Sequence, residues 1–128
     1  MLMVLGSFIF ELKTAAFSSL KKSSEYRWST SETIGNAPVL QSLGKGSDRI
    51  DLEGIIYPNF TDSSSIEDLR IIAESQEPQI LVDGTGSIHG FWVIKQIAET
   101  QSFFDKFGQP KKIEFNINLE KYGEFYDL

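Results

Sequence analysis

The sequence predicts an α+β fold, a mainly antiparallel β-barrel or sandwich with one docked amphipathic helix at about residues 66–75. Segments in which apolar and polar residues alternate dominate the chain, which is typical of strands with one buried face. Only one segment repeats its apolar residues at helical spacing. The length of 128 residues fits a single domain over residues 1–128, with no internal repeat and no linker.

The clearest strand covers residues 111–121, KKIEFNINLEK. Its apolar residues fall on one face and its polar residues on the other, as expected of a half-buried antiparallel strand. Residues 24–30 form a second expected strand, which places Tyr26 and Trp28 on one face. Further strands are predicted at residues 3–12, 49–57, 79–83 and 87–98. Between strands, the segment 33–49 predicts a loop or bulged excursion because it holds Gly35, Pro38, Gly44 and Gly46.

The one helix is predicted from caps and periodicity together. Its N-cap candidates are Ser63, Ser64 and Ser65. Glu67 and Asp68 fall in the first turn, where acidic side chains complement the helix dipole. The apolar positions that follow at helical spacing are Ile66, Leu69, Ile72 and Ala73. Because a helix of about ten residues is marginal alone, we expect this stripe to dock on the sheet.

The composition excludes several classes of protein. The chain has no cysteine, which excludes disulfides, thiolate zinc sites and cysteine nucleophiles. A net charge of −6 opposes sequence-specific nucleic-acid binding, because such proteins neutralise phosphates with Lys and Arg. The apolar residues 1–10 lack a basic flank and are shorter than the roughly 20 residues that span a bilayer. We therefore expect no membrane contact and a protein that is soluble where it is made.

The stretch GTGSIHG at residues 84–90 is the candidate for chemistry, since it combines three glycines with the only histidine, His89. A dinucleotide fingerprint needs G-x-G-x-x-G leading from a strand into a helix. Here the last glycine comes one residue too late and a strand follows. We interpret Gly84, Gly86 and Gly90 as turn and bulge positions. A small phosphate- or nucleotide-binding enzyme that uses this stretch stays open as an alternative of another class.

The sequence otherwise predicts no catalytic residues, no metal site and no cofactor. His89 has no second His or Cys to complete a metal site. The segment ETQSFFDKFGQP at residues 99–110 places Phe103, Phe104 and Phe107 in a polar setting between two long strands. These phenylalanines either fold back on the core or anchor a neighbouring subunit, because core and interface aromatics look alike in sequence. They form the candidate partner interface.

Several motifs in a fixed order resemble the phage tail protein family GpU. They are EYRW at residues 25–28, the Gly44–Gly46 turn before DLEGIIYP, and DGTG-x-x-x-G-x-W at residues 83–92. The resemblance extends from Phe8 to Tyr122. Members of this family are encoded by contractile-tailed phages, prophages and tail-like bacteriocins.

The resemblance implies a structural role in tail assembly, without catalysis and without a cofactor. It implies a position in the inner baseplate or tube-proximal region, beside the central hub and a LysM-containing tail protein. The implied partners also include tube or baseplate subunits and copies of the chain itself. A tail terminator or completion protein is the alternative placement. The expected location is the virion tail, after synthesis as a soluble protein in the bacterial host cytoplasm.

Overall fold

The computed structural model describes residues 3–10, 17–31, 35, 37–58 and 65–123. In these ranges the chain forms one helix and seven strands: β1 (Met3–Leu5), β2 (Phe8–Phe10), β3 (Phe17–Ser31), β4 (Val39–Ile56), α1 (Ser65–Glu74), β5 (Gln79–Asp83), β6 (Ile88–Phe104) and β7 (Pro110–Gly123). Within them, no helix is long and apolar enough to cross a membrane.

The strands form one antiparallel sheet in the order β2-β1-β5-β6-β7-β4-β3. β2 and β3 therefore lie at opposite ends of the strand order. Their side chains nevertheless meet, because the ring centroids of Phe10 and Phe17 are 6.3 Å apart in an edge-to-face arrangement. The sheet curls into an open barrel, which confirms the predicted fold class.

The core lies on the inner face of this curled sheet. Residues directly opposite each other on β4 and β7 share a face, and Leu52 pairs with Ile117 at the centre of the core. Trp92 of β6 is fully buried, and its indole Nε1 donates to the carbonyl of His89 at 2.9 Å. The strand predicted at residues 111–121 is confirmed within β7. Its inward residues are buried because they alternate in register with those of β4.

The predicted helix is confirmed as α1, which packs against β6. Ile66 and Leu69 are buried against the sheet, and Arg70 Nη2 lies 2.8 Å from Glu99 Oε1 of β6. A buried apolar stripe and one ion pair thus hold a short helix that would be marginal alone. Of the N-cap candidates, Ser63 and Ser64 lie outside the described residues.

Three predicted segments differ from the strands of the structure in their bounds. Residues 33–49, predicted as a loop or bulged excursion, are strand from Val39 onward, and β3 begins at Phe17 instead of residue 24. The register of β3 against β4 shifts next to both Gly44 and Gly46, and Gly44 has φ 97°. The glycines therefore mark bulges within a strand and not a loop. The strand predicted over residues 3–12 is split by a turn into β1 and β2, and residues 11 and 12 lie outside the described ranges.

Candidate interaction surfaces

Two hairpins project from opposite ends of the sheet. β4 and β7 are antiparallel, with Arg49 opposite Glu120 and Ile56 opposite Ile113. The β3–β4 turn therefore lies beyond one end of this pairing, and the β6–β7 turn beyond the other. In the described register, residues 39–48 of β4 pair with β3 but not with β7. At roughly 3.3 Å per residue, these ten residues form a ribbon of roughly 30 Å.

The β6–β7 hairpin ends in Phe103, Phe104 and Phe107, which we call the aromatic tip. Their exposed fractions are 70%, 55% and 78%, so these side chains do not belong to the core. Phe103 has φ 56°, a left-handed conformation that costs a non-glycine residue about 1–3 kcal/mol. Lys106 Nζ lies 5.1 Å from the centroid of the Phe107 ring. The tip thus presents a strained apolar surface with a cation beside it.

Asp105 builds the turn that carries the tip. Its Oδ1 accepts the backbone N–H groups of Phe107 at 2.8 Å and Gln109 at 3.0 Å. Its carbonyl accepts the N–H of Gly108 at 3.1 Å. These bonds fix the loop backbone, so Phe107 is held outward by a defined turn.

The β5–β6 turn repeats the same hydrogen-bond pattern around Asp83. Oδ1 of Asp83 accepts the N–H groups of Thr85 at 2.9 Å and Ser87 at 3.1 Å, and its carbonyl accepts the N–H of Gly86 at 3.0 Å. Gly84 and Gly86 both lie in this turn, where Gly86 has the positive φ of 88° that the turn requires.

Gly90 lies farther along, inside β6. There one residue of β5, Leu81, faces two residues of β6, His89 and Gly90. Gly90 is the second of these two residues, and its positive φ of 90° is a conformation that glycine adopts without steric cost.

The Asp83 turn directs the N–H groups of Thr85, Gly86 and Ser87 at Asp83 itself and not at a phosphate. A phosphate loop offers backbone N–H groups to its ligand, whereas here those of Thr85 and Ser87 already point at the Asp83 carboxylate. His89 Nε2 lies 2.9 Å from Asp83 Oδ2, but the Thr85 hydroxyl donates to Asp83 Oδ1, and the Ser87 hydroxyl bonds to the Thr85 hydroxyl. The arrangement lacks the contact between nucleophile and base that covalent catalysis needs.

The β3–β4 hairpin carries a second exposed apolar surface, Tyr26, Trp28 and Leu40, which we call the hairpin strip. Their exposed fractions are 64%, 58% and 63%. Side chains along β3 alternate from Leu20, which lies opposite the buried Leu52, so Tyr26 and Trp28 continue the inner face of the sheet. Leu40 lies opposite Thr30 and shares that face. The apolar inner face thus extends beyond the core without an element of the described chain to cover it.

The outer face of β4, β6 and β7 is polar at its centre. The amide nitrogen of Asn116 donates to Glu53 at 3.1 Å, and that of Asn118 donates to Gln96 at 3.3 Å. Lys95 Nζ approaches Glu120 at 3.5 Å beside an open depression of about 490 Å³. Because these polar groups satisfy one another, this part of the sheet is suited to contact with water.

The chain matches the Phage P2 GpU family over residues 6–124. It belongs to this family. A curated relative, the probable tape measure protein of Halomonas phage phiHAP-1, is 28% identical over 122 residues. The match covers 94% of this chain but only 14% of that protein, so the chain corresponds to a small part of its length.

Two solved structures share the fold of this GpU-family chain. A chain of the native gene transfer agent virion has a TM-score of 0.65 at 16% identity, with 95% of this chain and 90% of that chain covered. A chain from the tail of the empty gene transfer agent particle, computed with helical refinement in C6 symmetry, has a TM-score of 0.61 at 20% identity and the same coverage. At these identities the likeness concerns the fold.

The sequence of this GpU-family chain indicates one of its two exposed surfaces. Three phenylalanines among polar residues indicate the tip, whereas the strand predicted at residues 24–30 and the loop or bulged excursion predicted at 33–49 do not indicate the hairpin strip. The Asp-x-x-Gly spacing of Asp83 with Gly86, repeated by Asp105 with Gly108, is a signal that could have revealed both turns. Across the described ranges, no group of three or more His, Asp or Glu side chains could hold a metal ion.

Acid is expected to weaken the Asp83 turn. The Thr85 hydroxyl, followed by His89, holds the pKa of Asp83 well below its ordinary value of 3.8. A carboxylate with a lowered pKa contributes stability that is complete above its unfolded pKa and is lost as the pH falls below it. The thermal midpoint should therefore fall between about pH 5 and about pH 2 more steeply in the parent chain than in Asp83→Asn. Identical pH profiles measured by circular dichroism would contradict this assignment.

Proposed function

We propose that this GpU-family chain is a structural subunit of a phage-type tail, which acts through protein–protein contacts without catalysis and without a cofactor. The family match over residues 6–124 carries the proposal. The fold shared with gene transfer agent tail chains supports it. The exposed aromatic side chains at both ends of the sheet also support the proposal, since contiguous apolar surface on a protein marks contact with a partner.

Unpaired strand edges support assembly with further copies. In the described register, β3 pairs with β4 alone, and residues 93–104 of β6 pair with β7 alone. These two edges lie on opposite sides of the four longest strands. An unpaired edge is a template for strand addition, and two different edges on one subunit favour a ring or a stack.

We place the subunit in the inner baseplate or tube-proximal region, next to the central hub and a LysM-containing tail protein. The likeness to a chain from a tail with C6 symmetry supports a place in the tail among copies of the same chain. In this proposal the aromatic tip contacts another tail protein. The chain is made soluble in the host cytoplasm and ends in the virion tail. A tail terminator or completion protein is the alternative position.

Deletion of the gene tests the role and the position together. We expect filled heads without attached tails, and restored infectious particles when the gene is supplied in trans. A subunit of the inner baseplate is needed to start the tube, so its loss should leave no tubes in electron micrographs. Loss of a terminator should instead leave tubes of uncontrolled length. Normal particles from the deletion strain would refute the proposed function.

A further inference from the structure

One charged side chain is buried where the β3–β4 ribbon leaves the barrel. Within the described ranges, Asp48 is the only buried charged residue, with an exposed fraction of 4%. It alternates with the buried Ile50 and Leu52 along β4 and therefore faces the inside of the barrel. Arg49 forms the outermost described pair between β4 and β7, so Asp48 lies at the base of the ribbon.

Lys45 is the principal partner of this buried charge. Its Nζ lies 2.8 Å from Oδ2 of Asp48, whereas Oδ1 is buried without a hydrogen-bond partner in the described part of the chain. The Lys45 ammonium, followed by the Ser24 hydroxyl, holds the pKa of Asp48 below its ordinary value of 3.8 despite burial, and Lys121 of β7 adds a positive charge. Asp48 is therefore ionised at neutral pH, and its carboxylate depends on Lys45.

A β-bulge brings these two side chains onto one face. Residues three apart in a regular strand point to opposite faces, because side chains alternate along the strand. Between Lys45 and Asp48, however, β4 has two residues where the opposite segment of β3 has only Glu25. The extra residue shifts the alternation by one, so Lys45 and Asp48 both lie on the inner face. The ion pair thus requires the bulge at residues 46–47.

The bulge is closely packed and is tied to the barrel. A Cβ added at Gly46 would lie 3.0 Å from both Cβ and Cγ of Glu25, which is closer than ordinary van der Waals contact. The Ser47 hydroxyl donates to Glu120 of β7 and lowers the pKa of that carboxyl. A bulge bends its strand and increases the local twist. Its conformation therefore sets the direction of the residues beyond it.

Beyond the bulge, the ribbon has few contacts with the rest of the described chain. In the described register, residues 26–31 and 39–45 pair with each other and with no other strand. All of their side chains except Ser29 are exposed. Because two strands alone are marginally stable in water, the orientation of the ribbon depends on its base.

We propose that the Lys45–Asp48 ion pair locks the bulge at residues 46–47 and thereby fixes the direction in which the ribbon leaves the barrel. Lys45 belongs to the ribbon and Asp48 to the core, so the ion pair connects the two across the bulge. Without it, the bulge relaxes and the ribbon swings about residues 46–47. The hairpin strip then no longer keeps one position relative to the barrel. This inference concerns the isolated chain and does not depend on the proposed function.

A distance between two spin labels tests this role on the purified chain. The chain has no cysteine, so Gln41→Cys on the ribbon and Asp68→Cys on α1 introduce two unique labelling sites, both at exposed positions. Double electron–electron resonance should give a narrow distance distribution in the otherwise unchanged chain. In the same labelled chain, Lys45→Met should make the distribution at least about twofold wider, because the bulge then acts as a hinge.

A double variant separates loss of the lock from loss of the fold. Lys45→Met alone leaves a buried carboxylate without its main partner, which destabilises the fold. Combining it with Asp48→Asn removes the buried charge as well. The double variant should therefore keep a cooperative thermal transition and still widen the distribution. Lys45→Arg retains a cation at this position and should keep the narrow distribution.

Lys112→Met is the matched control, because it breaks a 3.0 Å ion pair with Glu114 on β7 that lies away from the bulge. It should leave the width unchanged. A narrow distribution in both variants that carry Lys45→Met, or equal widening in Lys112→Met, would overturn the proposal. A lower thermal midpoint without a wider distribution would also overturn it, since that result is expected of an ion pair that only stabilises the fold.

Discussion

Replacing Trp92 by alanine should lower the free energy of unfolding by about 3–5 kcal/mol, which is a large part of the stability of a domain of this size. Trp92 is fully buried and is among the largest side chains of the core. Its removal leaves a cavity that the strands around it cannot close without moving. It also removes the donor of the 2.9 Å hydrogen bond to the carbonyl of His89. Urea unfolding followed by circular dichroism measures the loss.

The second tryptophan provides the control. Trp28 is 58% exposed on the projecting hairpin, so Trp28→Ala should change the free energy of unfolding by no more than about 0.5 kcal/mol. Trp92→Phe keeps most of the side-chain volume but removes the indole N–H. Its decrease in the free energy of unfolding should lie between those of Trp92→Ala and Trp28→Ala. Equal losses from Trp92→Ala and Trp28→Ala would mean that the inner face of β6 is not the core.

The parts of the fold that bury one face could be predicted from the sequence. β7 alternates Ile113, Phe115, Ile117 and Leu119 with polar residues because its inner face packs against the core while its outer face is polar. The apolar stripe of α1 can be predicted for the same reason, since one side of the helix packs against the sheet. In both elements, burial of one face requires apolar residues at a regular interval, so the buried face can be predicted from the sequence.

The β3–β4 ribbon could not be predicted in this way. Most of its side chains are exposed on both faces, so burial imposes no alternation on them. Its glycines lie at bulges, where they resemble loop residues in sequence. The alternation in β3 predicts that Tyr26 and Trp28 share a face, as they do, but a pattern cannot show whether the described chain provides anything to cover that face. The length of the ribbon depends on pairing between β3 and β4, which is a tertiary property.

The candidate site was only partly predictable for a similar reason. Three phenylalanines in a polar segment indicated either core or interface, and the choice depends on whether the hairpin folds back or projects. Whether the N–H groups of residues 84–90 can bind a phosphate depends on where the Asp83 carboxylate points, because two of them donate to it. Neither the direction of a hairpin nor the contacts of one carboxylate follow from residue spacing.

Changing Phe103, Phe104 and Phe107 together to serine should abolish incorporation of the chain into tails while preserving the fold. All three side chains are more than half exposed, so their removal takes little apolar area out of the core. The free energy of unfolding should therefore change by less than about 1 kcal/mol. Tails purified from the deletion host would be probed for the chain by immunoblot. Loss of the cooperative thermal transition would instead mean that these residues support the core.

Phe103 allows stability and assembly to be separated at one position. Its φ of 56° is strained for phenylalanine but not for glycine, so Phe103→Gly should raise the free energy of unfolding by up to about 1 kcal/mol. The same change removes an aromatic ring from the tip and should reduce incorporation into tails. Ile88→Ser is the control, because Ile88 is 68% exposed at the opposite end of β6 and lies outside the tip. A variant that folds more stably yet assembles less well shows that the strained conformation is maintained for contact with a partner. If Phe103→Gly and Ile88→Ser enter tails as well as the parent chain, Phe103 has no part in that contact.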